Sequence, residues 1–308
     1  MKIIKVAENN IGVRIDKFLA QEFFSLSRGE IIRNIKEGKI LVNKEIIKPS
    51  YKLKENDEIE SNVSFKREEV IPNDGIKLNI IYSDDNIIVI NKQAGIQVHP
   101  DSNERKNTLA NALVSKFPEI KDVHDESLGA YLRPGIVHRL DKDTSGVMII
   151  ARNQKTFDEL KEMFQERKIH KKYVAIVYGQ LKDKKGIITK AIARSESYKK
   201  QSIAGAKTKT KVRGAVTEYK QLKRFNSYSL VEARPLTGRM HQIRIHLFSI
   251  GHPVVGDKLY KLKSIKANIL AKRQLLHAEE TDFTLFGKKF RFSAPLPEDF
   301  NVFLKNID

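Results

Sequence analysis

The 308-residue chain contains no cysteine and no tryptophan. Without cysteine it can form no disulfide framework, no thiol nucleophile, no iron–sulfur cluster and no cysteine zinc site. Any catalysis must rest on carboxylates, histidines, hydroxyls or amines. No apolar run approaches the roughly 18 residues that a membrane span needs, and the first ten residues lack the apolar centre of a signal peptide. These absences predict a cytoplasmic protein with no membrane partner. Gly135, Gly146 and Gly179 lie too far apart to cradle a phosphate together, so no Walker A or Rossmann loop is present. Nor do the eight histidines space themselves as metal ligands: His241 and His246 project about 140° apart on a helix and to opposite faces of a strand.

Negative charge is in short supply. The chain carries 57 Lys and Arg against 38 Asp and Glu, a formal net charge of +19. Such an excess favours a polyanionic partner, most simply nucleic acid. The excess is uneven. Residues 1–75 hold 14 basic and 13 acidic side chains, whereas residues 167–213 hold 15 basic ones against only Asp183 and Glu196. That run is the electrostatic footprint. No internal repeat or low-complexity tract interrupts the chain.

Along residues 13–24, Ile15, Phe18, Leu19 and Phe23 recur at helical spacing. Ser27 with Glu30 forms a capping box for a second helix whose buried face is Ile31, Ile32 and Ile35, and Gly38 stops it. A strand at residues 39–43 and a closing strand at residues 57–62 follow. Two short helices and a hairpin make a compact module that exposes Arg14, Arg28, Arg33, Lys36 and Lys39. This arrangement resembles the S4 RNA-binding domain, through Arg14-Ile15-Asp16-Lys17-Phe18-Leu19, Ser27-Arg28 and Gly38-Lys39-Ile40-Leu41-Val42-Asn43. The resemblance implies that those five cations contact RNA. Residues 63–75, charged and rich in breakers, read as a linker, so the domains are expected at 1–62 and 76–308.

Beyond the linker the pattern turns to strands, at residues 78–82, 87–90, 147–151, 173–178, 187–193, 216–222 and 228–234. Residues 108–117 read as a helix capped by Asn107, and Phe157, Leu160 and Phe164 mark another. Residues 237–251 also read as a helix, with Thr237 as N-cap and Gly251 as stop. Strands dominate with few βα alternations. The expected fold is therefore mixed α+β: a large mixed, mostly antiparallel sheet flanked by helices, beside the small N-terminal domain.

A polar loop, residues 133–146, precedes the buried strand at 147–151, and strand mouths commonly carry catalytic side chains. Asp141 lies in it between Arg139 and Lys142, where opposite charge favours an ionised carboxylate, a nucleophile or electrostatic stabiliser. A structural salt-bridge loop fits the same residues equally well.

The run His138-Arg139-Leu140-Asp141 with Thr144-Ser145-Gly146 closely resembles the signature of the RluA-type pseudouridine synthases. Asn91-Lys92-Gln93-Ala94-Gly95, Lys171-Lys172-Tyr173, Leu236-Thr237-Gly238-Arg239-Met240-His241-Gln242-Ile243-Arg244, His252-Pro253-Val254-Val255-Gly256-Asp257 and Leu275-Leu276-His277-Ala278 agree in order and spacing. The resemblance covers nearly all of residues 76–300. Gln93, where the family usually has proline, and Met240, in place of a small hydroxyl residue, depart from it. A basic, helical insertion at residues 261–273 has no counterpart role.

Carried over, the resemblance implies that Asp141 is the catalytic aspartate, acting on a flipped uridine at C1′, at C6 or along a glycal route. Tyr173 would stack beneath the base and take part in removing the C5 proton. Arg244 would pair with Asp141, and Arg139 would fill the space that the base leaves. His138, Lys171, Lys172, Lys200, Arg239 and His241 would bind RNA. Such chemistry needs no metal, nucleotide or redox cofactor. The S4 domain and the Arg133-to-His138 stretch look most like the D-type enzymes of large-subunit (23S) ribosomal RNA. The implied partner is therefore that RNA, free or in pre-large-subunit particles, met by a monomer without an obligatory protein partner. Alternatives are a C-type sister enzyme and a non-catalytic, S4-containing ribosome-assembly protein. A glycoside hydrolase would need a second carboxylate across the scissile bond, and Asp143 lies on the same side as Asp141.

Overall fold

The computed structural model describes residues 2–22, 26, 28–63, 69–101, 103–127, 129–195, 200–262 and 271–307. They gather into two compact units, Met1–Ile76 with His99–Gly135, and Lys77–Val98 with Ile136–Asp308. The boundaries expected at 62 and 76 place residues 99–135 elsewhere, and hydrogen bonding explains their grouping. Asn73 donates from its backbone to Asn111 O (3.0 Å) and from Nδ2 to Lys106 O (2.8 Å), while Asn111 Nδ2 donates to Ile71 O (2.7 Å). Further along, Asn9 Nδ2 donates to Glu126 O, and Tyr131 Oη to Gln21 O.

The first unit contains β1 (Lys2–Lys5), α1 (Ile15–Glu22), α2 (Arg28–Lys36), β2 (Ile40–Val42), β3 (Glu58–Ser61) and α3 (Leu109–Lys116). Its antiparallel sheet runs β1-β3-β2. Ile15, Phe18 and Leu19 of α1 and Ile31 and Ile35 of α2 bury against Ile40, Val42, Leu53 and Ile59, as their helical spacing requires. Phe23 and the capping residue Ser27 fall outside the described residues. The cap of α3 is Thr108 rather than Asn107: the Asn111 side chain reaches back to accept the Thr108 N–H at 3.0 Å.

The second unit is built on β4 (Ile80–Ser83), β5 (Ile87–Lys92), β6 (Ser145–Ala151), α4 (Gln154–Gln165), β7 (His170–Tyr178), β8 (Lys185–Ile188), β9 (Ile192–Arg194), β10 (Gln201–Ile203), β11 (Val212–Arg213), β12 (Thr217–Arg224), β13 (Tyr228–Pro235), α5 (Gln242–Ser249), β14 (Leu276–Leu285), β15 (Lys288–Ser293) and α6 (Glu298–Ile307). The nine-stranded sheet has the order β4-β5-β6-β14-β7-β13-β12-β8, with β15 paired to β14. Every pairing is antiparallel except β6 with β14. The mixed, mostly antiparallel sheet is thus the one expected.

Period-two alternation along β7 divides the core. Ala175 and Val177 pack with Ile243 and Leu247 of α5, while Val174 and Ile176 pack with Phe300 and Phe303 of α6. The parallel β6–β14 contact is close enough to demand glycine: a Cβ on Gly146 (φ +121°) would lie 2.1 Å from Ala278 O.

Two further expectations need correction. Residues 187–193 are not one strand; they divide between β8 in the large sheet and β9 in a separate three-stranded sheet, β10-β9-β11. The helix expected over 237–251 is only α5, and its N-cap is His241 in a left-handed conformation (φ +57°). Thr237 cannot cap it, because its Oγ1 accepts the Val216 N–H (3.0 Å) and donates to Gln242 Oε1 (2.7 Å), pinning residues 237–241 as a loop against the start of β12. Finally, β1, β14, β15 and α6 answer to no signal read in the sequence, and most of the 261–273 insertion lies outside the described residues.

Candidate active site

Asp141 sits on the loop before β6, and that loop is tied down from below. Lys92, at the end of β5 and 2 % exposed, donates its ammonium to Gln93 O (2.7 Å), Ile96 O (2.8 Å) and Lys142 O (3.0 Å). Gly95 N–H also reaches Lys142 O, Thr144 N–H reaches Asp141 O, and Arg273 Nη1 reaches Asp143 O. Burial pushes the Lys92 ammonium down to about 7, with Asp143 and Asp141 opposing the fall and Arg273 adding to it.

The carboxylate of Asp141 meets Arg244, which α5 projects from its first turn. Arg244 Nη1 donates to Asp141 Oδ2 at 2.8 Å. The remaining edge of the same guanidinium is clamped by Asp257, with Nε to Oδ2 at 2.6 Å and Nη2 to Oδ1 at 2.9 Å. Asp257 is wholly buried and also accepts the backbone N–H groups of Leu259 and Tyr260. It follows Gly256 (φ +77°), where a Cβ would fall 1.9 Å from Arg273 O, so only glycine lets the turn come this close. Burial alone lowers the Arg244 guanidinium, but hydrogen bonding and charge from Asp257 and Asp141 outweigh it and raise the group above the usual arginine range. Asp141 is therefore held by Arg244, which reaches it from across the fold.

His241 Nε2 lies 3.8 Å from Asp141 Oδ1, and its Nδ1 lies 3.0 Å from Tyr260 Oη. Burial lowers the His241 imidazole, Asp141 opposing the fall and Arg244 adding to it. Tyr173 of β7 is also shifted by burial and then by Asp141, upward, so its phenol keeps its proton at neutral pH. Asp141, Tyr173, His241 and Arg244 line a cavity of about 950 Å³ together with Arg139, Phe164, Arg167 and Arg239. Arg139 is exposed on its wall, and Arg239 donates from Nε to Gly214 O at 3.2 Å.

Several residues expected on RNA have other partners. Arg14 and Arg28 both bond the buried carboxylate of Asp16, at 3.0 and 2.7 Å, and so fix the start of α1. Arg33 and Lys39 pair with Glu37 on the surface, and Lys36 is exposed. His138 Nε2 accepts the Ile149 N–H at 2.9 Å, which requires that nitrogen to be unprotonated, and its ring stacks on Phe164. Burial, reinforced by Lys171, pushes His138 down to about 3. Lys171 is lowered by burial, and Lys172 pairs with Glu279 at 3.0 Å and Glu280 at 3.7 Å. Lys200 is exposed beside β10. Sequence reasoning assigned no role to Asp257, Tyr260 or Lys92. Only their presence in the quoted blocks, or near one, marks them, because no helical or strand register links them to Asp141.

The family match agrees with this geometry in extent: residues 86–249 match the RNA pseudouridylate synthase family, and residues 13–59 match the S4 domain. A protein of Aquifex aeolicus named as an uncharacterized RNA pseudouridine synthase is 42 % identical over 270 residues, covering 86 % of this chain and 83 % of that one. The ribosomal large subunit pseudouridine synthase D of Xanthomonas campestris pv. campestris is 36 % identical over 96 % of this chain and 88 % of its own. Among solved structures, human RNA pseudouridylate synthase domain containing 4 superposes with a TM-score of 0.58 at 27 % identity, over 74 % of this chain and 92 % of that one.

Two expected outcomes follow from the site. Asp257→Asn leaves Arg244 buried with only the Asp141 carboxylate to compensate it. It should cost about 3 kcal/mol of stability and lower turnover far more than RNA affinity, measured by urea unfolding and by kinetics; wild-type turnover would refute the clamp. His138 titrates near its ordinary value of 6.5 when unfolded and near 3 when folded, so between those values only the unfolded chain binds the proton. Stability should therefore fall as pH drops through that window. His138→Gln, which keeps an acceptor for Ile149 and cannot titrate, should flatten that limb in urea midpoints taken from pH 7 to 3.

Proposed function

As the chain belongs to the RNA pseudouridylate synthase family and carries an S4 domain, we propose that it isomerises specific uridines of large-subunit (23S) ribosomal RNA to pseudouridine, with Asp141 as the catalytic carboxylate. Family membership makes it an RNA-acting isomerase. The target RNA follows from the relatives named as large-subunit synthase D and from the D-type likeness of the S4 domain and the Arg133-to-His138 stretch. The observation that carries the catalytic assignment is the Asp141 carboxylate, one oxygen fixed by Arg244 and the other facing a cavity large enough for a nucleoside.

A uridine in folded RNA must leave its stack before a carboxylate can reach it, at a cost of a few kcal/mol. Exposed Arg139 on the cavity wall can occupy the vacated stack. Phosphate contacts then supply the offsetting binding energy and the register. Lys200, Lys207, Lys209, Lys211 and Arg213 are all exposed on or beside the β9–β11 sheet and can provide them. Once the base is in the cavity, Tyr173 can stack beneath it. Because its phenol is held protonated, it enters the reaction as an O–H donor, and it can accept the C5 proton only after passing its own proton on. Breaking the N-glycosidic bond, turning the uracil and forming the C-glycosidic bond conserves every atom, so the reaction proceeds with protein groups alone. A monomer working in the cytoplasm, on free RNA or on pre-large-subunit particles, fits such a substrate.

Pseudouridine should be mapped by carbodiimide primer extension on large-subunit RNA from cells with the wild-type protein, without it, and with Asp141→Ala. Specific stops should vanish in the last two, and an identical pattern in all three would sink the assignment. Replacing Lys200, Lys207, Lys209 and Lys211 together by Ala should weaken RNA binding and reduce the slope of log affinity against log salt by up to about 3. An unchanged slope would make that sheet an ordinary solvated surface.

A further inference from the structure

Asp141, Arg244 and Tyr173 have catalytic tasks and Tyr260 has none, yet Tyr260 touches both Arg244 and His241, the two side chains that approach the Asp141 carboxylate. It is 3 % exposed, its ring lies 5.3 Å from the Arg244 guanidinium carbon, and its hydroxyl is 3.0 Å from His241 Nδ1. That hydroxyl also accepts the backbone N–H of Gln201, the first residue of β10, at 2.8 Å.

Counting protons along this line fixes their direction. The Gln201 amide can only donate, so the Tyr260 oxygen is an acceptor there. Burial pushes the Tyr260 phenol up to about 12, so its own proton stays in place at neutral pH. If His241 carried its proton on Nδ1, two N–H donors would converge on one phenol oxygen and the phenol proton would have to turn away from both. The other arrangement satisfies every group: Tyr260 O–H donates to Nδ1, and the imidazole proton sits on Nε2, aimed at Asp141 Oδ1. That oxygen is the one Arg244 does not bond. The 3.8 Å separation is longer than a hydrogen bond, and catalytic contacts of this kind tighten when substrate closes the site.

We propose that Tyr260 is a positioning residue that locks His241 in its Nε2–H tautomer, and that this N–H closes on the reacting oxygen of Asp141 and holds it in line as the uridine enters. The inference rests on the catalytic assignment of Asp141. It also explains why β10, in the basic sheet, is hydrogen-bonded to the site: the backbone beside Lys200 sets the orientation of the phenol, and the phenol sets the imidazole. Ile192, Ile203, Ala215, Ile245 and Phe248 pack around Tyr260 and keep the ring from turning.

The test uses the full-length protein labelled with 15N-histidine. The His241 signals, identified by their loss in His241→Gln, should show an unprotonated Nδ1 and a protonated Nε2 in the wild type. Tyr260→Phe keeps the ring over Arg244 and removes only the hydroxyl. It should bring the Nδ1–H form into the spectrum and lower kcat about fivefold to tenfold, with KM for RNA within about twofold. His241→Gln, whose amide nitrogen can replace the Nε2 donor, should retain more activity than His241→Asn, which the left-handed backbone accommodates but which cannot reach Asp141. An Nδ1–H tautomer in the wild type, or wild-type kcat in Tyr260→Phe, would overturn the proposal. Asp141→Asn is assayed beside them: if it is inactive while Tyr260→Phe is fully active, only the relay is wrong, whereas an active Asp141→Asn overturns the catalytic reading beneath it.

Discussion

A guanidinium taken out of water costs several kcal/mol unless carboxylates replace its hydration, and Arg244 is almost wholly buried. Asp257 meets most of that requirement with two hydrogen bonds from a fully buried position, and Asp141 supplies the rest through one oxygen. The asymmetry matters. A single Asp141–Arg244 pair would leave the guanidinium free to swing; clamped along its far edge by Asp257, it presents Nη1 in one direction only. Asp257 in turn depends on the turn at Gly256 and on the amides of Leu259 and Tyr260. The geometry at Asp141 is thus set by a segment more than a hundred residues away in sequence, which also delivers Tyr260 to His241.

Charge is distributed by a second logic. The nearly neutral S4-type unit uses two of its arginines on Asp16, so they shape the start of α1 as much as they face outward. Lys172, next to Tyr173, is matched by Glu279 and Glu280, and His138 and Lys171 are shifted toward their neutral forms. Five cations from Lys200 to Arg213 stay exposed on or beside the β9–β11 sheet. Within the basic run, proximity in sequence to Tyr173 did not decide which lysines are available to phosphate; burial and local carboxylates did.

Much of this was legible in the sequence, and the exceptions share a cause. Elements with a clear period, such as α1, α2, α4, β5, β7 and β13, lie where their spacing indicates, and the Asp141–Arg244 pair is where the family resemblance implies. The misread segments are those where a side chain serves tertiary structure. Thr237 has the composition of an N-cap but spends its hydroxyl on Val216 and Gln242, which shortens α5 and turns His241 into the left-handed region. Asn107 yields the cap to Thr108 because Asn111 reaches back to it. Residues 187–193 look like one strand because apolar residues continue through them, yet Lys190 turns aside to donate to Ser249 O, and the two halves enter different sheets. Asp257 was the most consequential omission: an isolated carboxylate after a glycine carries no periodic signal, and its importance exists only in three dimensions.

What the cavity can accept is set by the groups on its wall. His138 and His241 are lowered by burial, Tyr173 is raised, and Lys171 is lowered, so each of these wall groups is moved toward its neutral form while Arg244 is neutralised by its two carboxylates. These groups suit a neutral, planar, polar guest such as uracil, whereas Arg139, Arg167 and Arg239, which line the same cavity, present guanidinium groups that suit an anion. Further exposed cations, from Lys200 to Arg213, stand on or beside the β9–β11 sheet. A cavity that combines both kinds of wall group around the Asp141 carboxylate thus has room for a base beside cations that can meet the backbone attached to it.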